Sequence, residues 1–219
     1  MKNLFIGKYF AIALCLLSVQ SLMAKDIYLS VSGADTNNGL SESRAVATLT
    51  KALSLIEEGD NIRVSGIIDV SKDVSGMEGV AIPQMAFSVI GDSPSTSGFT
   101  GNGITRIFYI NSNDKETQYK NLSFTDGAQN QTKGSAVFLQ NSRCVFTNCL
   151  FKDNISVSCK GTVYLYTPNQ VEFNNCIFTD NQAQQGGAIF SEMRGKLVLD
   201  QCTIKNCNLQ SIANSNGGG

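Results

Sequence analysis

Part of this chain repeats itself every 26 or 27 residues, and that period restricts the fold more than any single residue does. Asn121-Leu122-Ser123-Phe124-Thr125-Asp126 returns as Asn148-Cys149-Leu150-Phe151-Lys152-Asp153 and as Asn175-Cys176-Ile177-Phe178-Thr179-Asp180. A looser copy is Gln201-Cys202-Thr203-Ile204-Lys205-Asn206. A second block keeps the same step: Ser135-Ala136-Val137-Phe138, Gly161-Thr162-Val163-Tyr164 and Gly187-Ala188-Ile189-Phe190. Three short strands and three turns use about 26 residues, which is one coil of a parallel β-helix; a propeller blade needs about 40 and hairpin turns. The expected fold class is all-β, a right-handed parallel β-helix of about six coils behind a short strand–helix cap.

Alternation assigns the faces. Cys144, Val171 and Leu197 form one apolar column, and Phe146, Phe173 and Leu199 the next. Cys149, Cys176 and Cys202 follow, then Phe151, Phe178 and Ile204. All four columns are expected to point inward. Thr147, Asn174, Asp200, Lys152, Thr179 and Lys205 alternate with them and suit solvent.

The chain divides into three parts. Residues 1–24 read as a secretory signal peptide: Lys2 and Lys8, an apolar run from Tyr9 to Val19, then Ala24 as a small residue for cleavage. An exported protein, extracellular or at the outer-membrane surface, follows. No later stretch is apolar enough to span a bilayer. Residues 25–60 read as a cap, with a strand over 28–32 and an amphipathic helix from Leu49 to Ile56. Thr48 is its expected N-cap and Gly59 its C-terminal stop. Residues 61–219 hold the coils. The chain reaches Asn216-Gly217-Gly218-Gly219 where the next Gly-Gly-Ala block is due, so a C-terminal truncation is expected, with a natural flexible Gly tail as the alternative. A bare last coil would expose strand edges, favouring end-to-end self-association or aggregation.

Composition removes several functions. Lys and Arg total 17 against 18 Asp and Glu, so no basic face for nucleic acid is expected. The absence of histidine excludes His-dependent triads and His–zinc sites. The absence of tryptophan leaves sugar stacking to Phe and Tyr.

Four columns are candidates for a role. Asn121, Asn148 and Asn175, with Gln201, stack before the cysteines and read as a structural amide ladder at a sharp bend. Cys149, Cys176 and Cys202 read either as buried thiols or as partners in a bridge, with each other or with Cys207. Asp126, Asp153 and Asp180 read either as turn caps or as a Ca²⁺ site bridging coils. Phe138, Tyr164 and Phe190 point out if Val137, Val163 and Ile189 point in, giving an aromatic stripe for sugars or a partner unless a loop covers it. Asp35-Thr36-Asn37-Asn38-Gly39 begins like a calcium loop but lacks the distal Glu, so it reads as an Asx-rich turn.

Phe178-Thr179-Asp180-Asn181 followed by Gly186-Gly187-Ala188-Ile189 resembles the paired Phe-x-x-Asn and Gly-Gly-Ala-[Ile/Leu/Val] repeats of the polymorphic outer-membrane proteins. Phe151-Lys152-Asp153-Asn154 keeps the first motif. The segment from Tyr28 to Val70 is similar to the entry of secreted pectate-lyase-like β-helix proteins. The first resemblance implies surface-exposed passengers associated with adhesion.

The leading expectation is a non-catalytic surface protein that binds carbohydrate or a cell surface. The alternatives are a polysaccharide lyase, with Arg106, Arg143, Arg194 and Lys196 as available bases, or a structural spacer.

Overall fold

The computed structural model describes residues 23–209, apart from 112–113, 130–132, 156–157, 159, 168–169 and 193–194. The expected signal sequence up to residue 22 and the Gly-rich end lie outside the described residues.

Every described strand pairing is parallel, and partners sit one coil apart. The long sheet has 12 strands, with Asn61–Asp69 shared between its two halves. One half runs through Phe87–Gly91, Glu116–Lys120, Arg143–Thr147, Gln170–Asn174 and Lys196–Asp200. The other runs through Ser97–Thr100, Ser123–Thr125, Leu150–Lys152, Ile177–Thr179 and Thr203–Lys205. The hinge is Gly66, at φ 89°, where a Cβ would lie 2.7 Å from both Val31 methyl groups. A five-stranded sheet closes the coil: Val80–Ile82, Phe108–Asn111, Val137–Gln140, Val163–Tyr166 and Ile189–Glu192. It gives about five coils among the described residues, against about six expected.

The inward columns are as expected. Cys144, Phe146, Cys149 and Phe151 are buried, as are Val171, Phe173, Cys176 and Phe178 one coil later. In-register pairing forces like rings to stack. Phe124–Phe151 and Phe151–Phe178 centroids are 4.8 and 4.6 Å apart, with the ring planes nearly parallel. Tyr119–Phe146 and Phe146–Phe173 repeat this at 4.8 and 4.9 Å. The two stacks meet edge-on, as at Phe146–Phe151. Each buried Phe contributes roughly 1.5–3 kcal/mol. Thr179 departs from the expected outer set, being buried. In the last described coil Leu199 is 44% exposed and Ile204 50%.

The corners explain the amide and carboxylate columns. Asn121, Asn148, Asn175 and Gln201 all have φ between 51° and 57°. Asp126, Asp153, Asp180 and Asn206 do too. Asn and Asp tolerate this left-handed backbone better than other side chains. Along the first corner the amides link up: Asn148 Nδ2 donates to Asn121 Oδ1 at 2.9 Å, and Asn175 Nδ2 to Asn148 Oδ1 at 3.4 Å.

The cap closes the N-terminal end of the core. Its strand, Asp26–Ser30, pairs with Asn61–Asp69. The Thr48 side chain accepts the Lys51 N–H, as its N-cap position requires. The helix is shorter than expected, Leu49–Leu53, and ends at Ser54, whose hydroxyl donates to the Lys51 carbonyl at 2.7 Å. Asp60 then accepts the Lys25 and Glu57 N–H groups and turns the chain into the first coil.

Candidate functional site

The aromatic stripe points away from the core, since Val137 and Val163 belong to the inner cluster. It is not open, which corrects the expectation of exposed rings: Phe138 is 1% exposed, Tyr164 5%, and only Phe190 is half-buried. Side chains from the same face cover it. Tyr109 and Tyr164 flank the Phe138 ring at 5.4 and 5.5 Å. Arg106 and Lys133 stand 5.6 and 5.1 Å from its centroid, and Lys160 is 5.0 Å from that of Phe190. Tyr164 donates its hydroxyl to Glu192 Oε2 at 2.6 Å, and Lys160 pairs with the same carboxylate. Burial, reinforced by Glu192, pushes the Tyr164 phenol above its usual range. Hydrogen bonds from Lys160 and then Tyr164 hold Glu192 below the usual carboxylate value.

The carboxylate column is not gathered into one cluster. Among the described residues, no three His, Cys, Asp or Glu side chains come together in a metal-binding group. Asp126, Asp153 and Asp180 stay on their own rungs. Asp153 pairs with Lys152 at 3.2 Å. Asp180 accepts from Asn206 and Thr179, and these two bonds lower its pKa. Asp35 is a cap: its carboxylate accepts from the Ala47 and Thr48 N–H groups and from the Thr48 hydroxyl.

The candidate bases are separated. Arg106 is fully buried and ties three carbonyls, those of Glu78, Lys133 and Gly134, to one point. Arg143 pairs with Glu116 at 3.7 Å, and Lys196 with Glu172 at 3.2 Å. Arg194 lies outside the described residues.

The structure instead opens a cleft of about 540 Å³ where the cap meets the first coils. Parallel pairing sets Tyr28, Arg63 and Ile90 side by side across three strands on the outer face. Asp26 orients the cation: its Oδ2 accepts Arg63 Nε at 3.0 Å while its Oδ1 accepts Asn61 Nδ2 at 2.8 Å. Ser30 and Ser32 share a hydroxyl contact at 3.0 Å on one wall. Glu42 and Asp92, both exposed, complete the rim. A ring, an oriented guanidinium, hydroxyls and carboxylates in one concavity are groups that hold polyhydroxylated ligands. None of these residues stood out in the sequence, because they come from the cap and first coils, where the period is broken.

The comparisons agree with this architecture. Residues 90–219 match the family described as the right handed beta helix region. No protein of curated function matches in sequence. A solved structure, a rhamnogalacturonan lyase, is similar with a TM-score of 0.51 at 13% identity. The match covers 84% of this chain and 56% of that one. Likeness at that identity shows the fold alone. With more than half of its length matched and its strands stacked in parallel coils, the chain belongs to the right-handed β-helix family.

Proposed function

We propose that this chain is an exported, non-catalytic carbohydrate-binding β-helix that presents the Tyr28–Arg63 cleft to a glycan at a cell surface. The observation that carries the proposal is the cleft itself, with Arg63 held by Asp26 beside Tyr28 on paired parallel strands. Sugars pack their C–H faces on aromatic rings and bond their hydroxyls to guanidinium, carboxylate and hydroxyl groups. The buried ring column is not needed for this and serves packing.

Titration calorimetry of the folded chain against neutral and uronic-acid oligosaccharides tests the proposal. Saturable binding is expected, weakened at least about tenfold, or about 1.4 kcal/mol, in Tyr28→Ala and Arg63→Ala. Phe190→Ala is expected to bind normally. Absence of any glycan binding would leave the spacer reading. Double-bond absorbance appearing in a uronic-acid polymer would replace binding with lyase chemistry.

A further inference from the structure

Five cysteines are described, all as free thiols, and three of them share one column. Cys149, Cys176 and Cys202 occupy the same place in successive coils. Backbone bonds fix them one rung apart: Ile177 N donates to the Cys149 carbonyl and Thr203 N to the Cys176 carbonyl, each at 2.9 Å. Neighbouring rungs are spaced at 4.7–4.9 Å, within the Cα separation that disulfides accept. The thiols are also oriented alike. Each lies against the carbonyl two residues back and a carbonyl of the preceding coil, Tyr119, Phe146 and Phe173 in turn. These are weak S–H bonds and little is lost when they break.

Geometry leaves few pairs. Cys202 and Cys207 lie on either side of the strand Thr203–Lys205 and the Asn206 corner, and Cys144 and Cys149 are separated by the rest of the strand Arg143–Thr147 and the Asn148 corner. Three extended steps alone span about 10 Å, more than a disulfide bridges. Cys144 has Thr117 and Val171 as rung neighbours, and burial pushes its thiol up to about 12. Access then selects within the column. Cys149 and Cys176 are buried, whereas Cys202 is half-buried.

We infer that Cys176 and Cys202 form a redox-sensitive staple that closes covalently between two coils when the chain meets a low-molecular-weight disulfide. Cys202 exchanges first: its sulfur bonds to one sulfur of the reagent, whose other sulfur leaves as a thiol with the Cys202 proton. The Cys176 sulfur then attacks Cys202 Sγ, releasing the second reagent thiol. The two protein thiols lose two electrons and two protons, and the reagent disulfide is reduced to two thiols. Hydrogen bonding from Cys149 holds the Cys176 thiol below its usual pKa, which suits it as the resolving nucleophile. The bridge joins Ile177–Thr179 to Thr203–Lys205, the strand whose Ile204 is half-exposed.

The test is oxidation of the full chain with glutathione disulfide, followed by alkylation, peptide mapping and thermal melting. The expected result is one new linked peptide joining Cys176 to Cys202 and a melting temperature raised by roughly 5 °C, reversed by dithiothreitol. Cys202→Ala, at a half-buried position, should melt normally when reduced and show no rise on oxidation. The inference is overturned if Cys176 and Cys202 both stay alkylatable, if the link maps to another pair, or if oxidation leaves the melting temperature unchanged or lowers it.

Discussion

Asn154→Ala is expected to lower the unfolding free energy by about 4 kcal/mol, measured by urea denaturation. Asn154 is fully buried. Its Oδ1 accepts the Gly127 N–H at 2.8 Å. Its Nδ2 donates to the Phe124 carbonyl and to Asn181 Oδ1, both at 2.9 Å. Asn181 repeats the pattern one coil on, donating to the Phe151 carbonyl at 2.9 Å. Alanine would leave the Gly127 N–H without an acceptor and take a donor from the Phe124 carbonyl and from Asn181 Oδ1, which keeps only the residue-154 backbone N–H at 3.1 Å. Each such group costs about 1–3 kcal/mol when unpaired inside a protein. Asn175→Gly is the control: it keeps the left-handed backbone and removes one exposed bond of 3.4 Å, with a cost within about 0.5 kcal/mol. A loss below about 1 kcal/mol in Asn154→Ala would show that the inner ladder does not hold the coils in register.

Phe151→Ala is expected to cost about 4–5 kcal/mol, at the upper end for such truncations. The reason is the stacking geometry. Phe124 and Phe178 lie 4.8 and 4.6 Å away on either side, and Phe146 and Phe173 meet the ring edge-on. Backbone ladders fix the rung spacing, so the stacked rings cannot collapse into the cavity. The same change at the end of the column should be mild: Ile204→Ala, at 50% exposure, is expected to cost less than about 1 kcal/mol. Tyr119→Phe reverses the sign. Tyr119 is fully buried in the neighbouring stack, and among the described residues its hydroxyl has no partner in hydrogen-bonding geometry. Deleting that hydroxyl is expected to be neutral or to stabilise by up to about 1 kcal/mol. Melting curves of the three variants check the ordering.

The repeat made most of the coil legible, because strand alternation and a fixed step determine which side chains share a column. Phe146, Phe151 and their partners pointed inward as the pattern required. Asn121, Asn148 and Asn175 formed the outer ladder for the same reason. The inner ladder was visible only as part of Phe-x-x-Asn. Asn154 and Asn181 follow Asp153 and Asp180, and it is the left-handed turn of those Asp residues that swings the next amide inward. The aromatic stripe shows what alternation leaves out. It gave the direction of Phe138, but not the way Arg106 folds across the ring, since long side chains are not placed by backbone period. Arg106, Lys133 and Lys160 do recur at a 27-residue step, which is the signal that could have revealed the cover. The cleft left no such signal. Tyr28, Arg63 and Asp92 come together only through the pairing of the cap strand to the first coil and of that coil to the next.

The parallel stacking of residues one coil apart underlies both ladders, the cleft and the thiol column. Nuclear Overhauser contacts between backbone protons of the three phenylalanines test it most directly. The account predicts contacts from Phe124 to Phe151 and from Phe151 to Phe178, with none from Phe124 to Phe178. Contacts joining Phe151 to an antiparallel partner within about ten residues, as a hairpin would give, would contradict it.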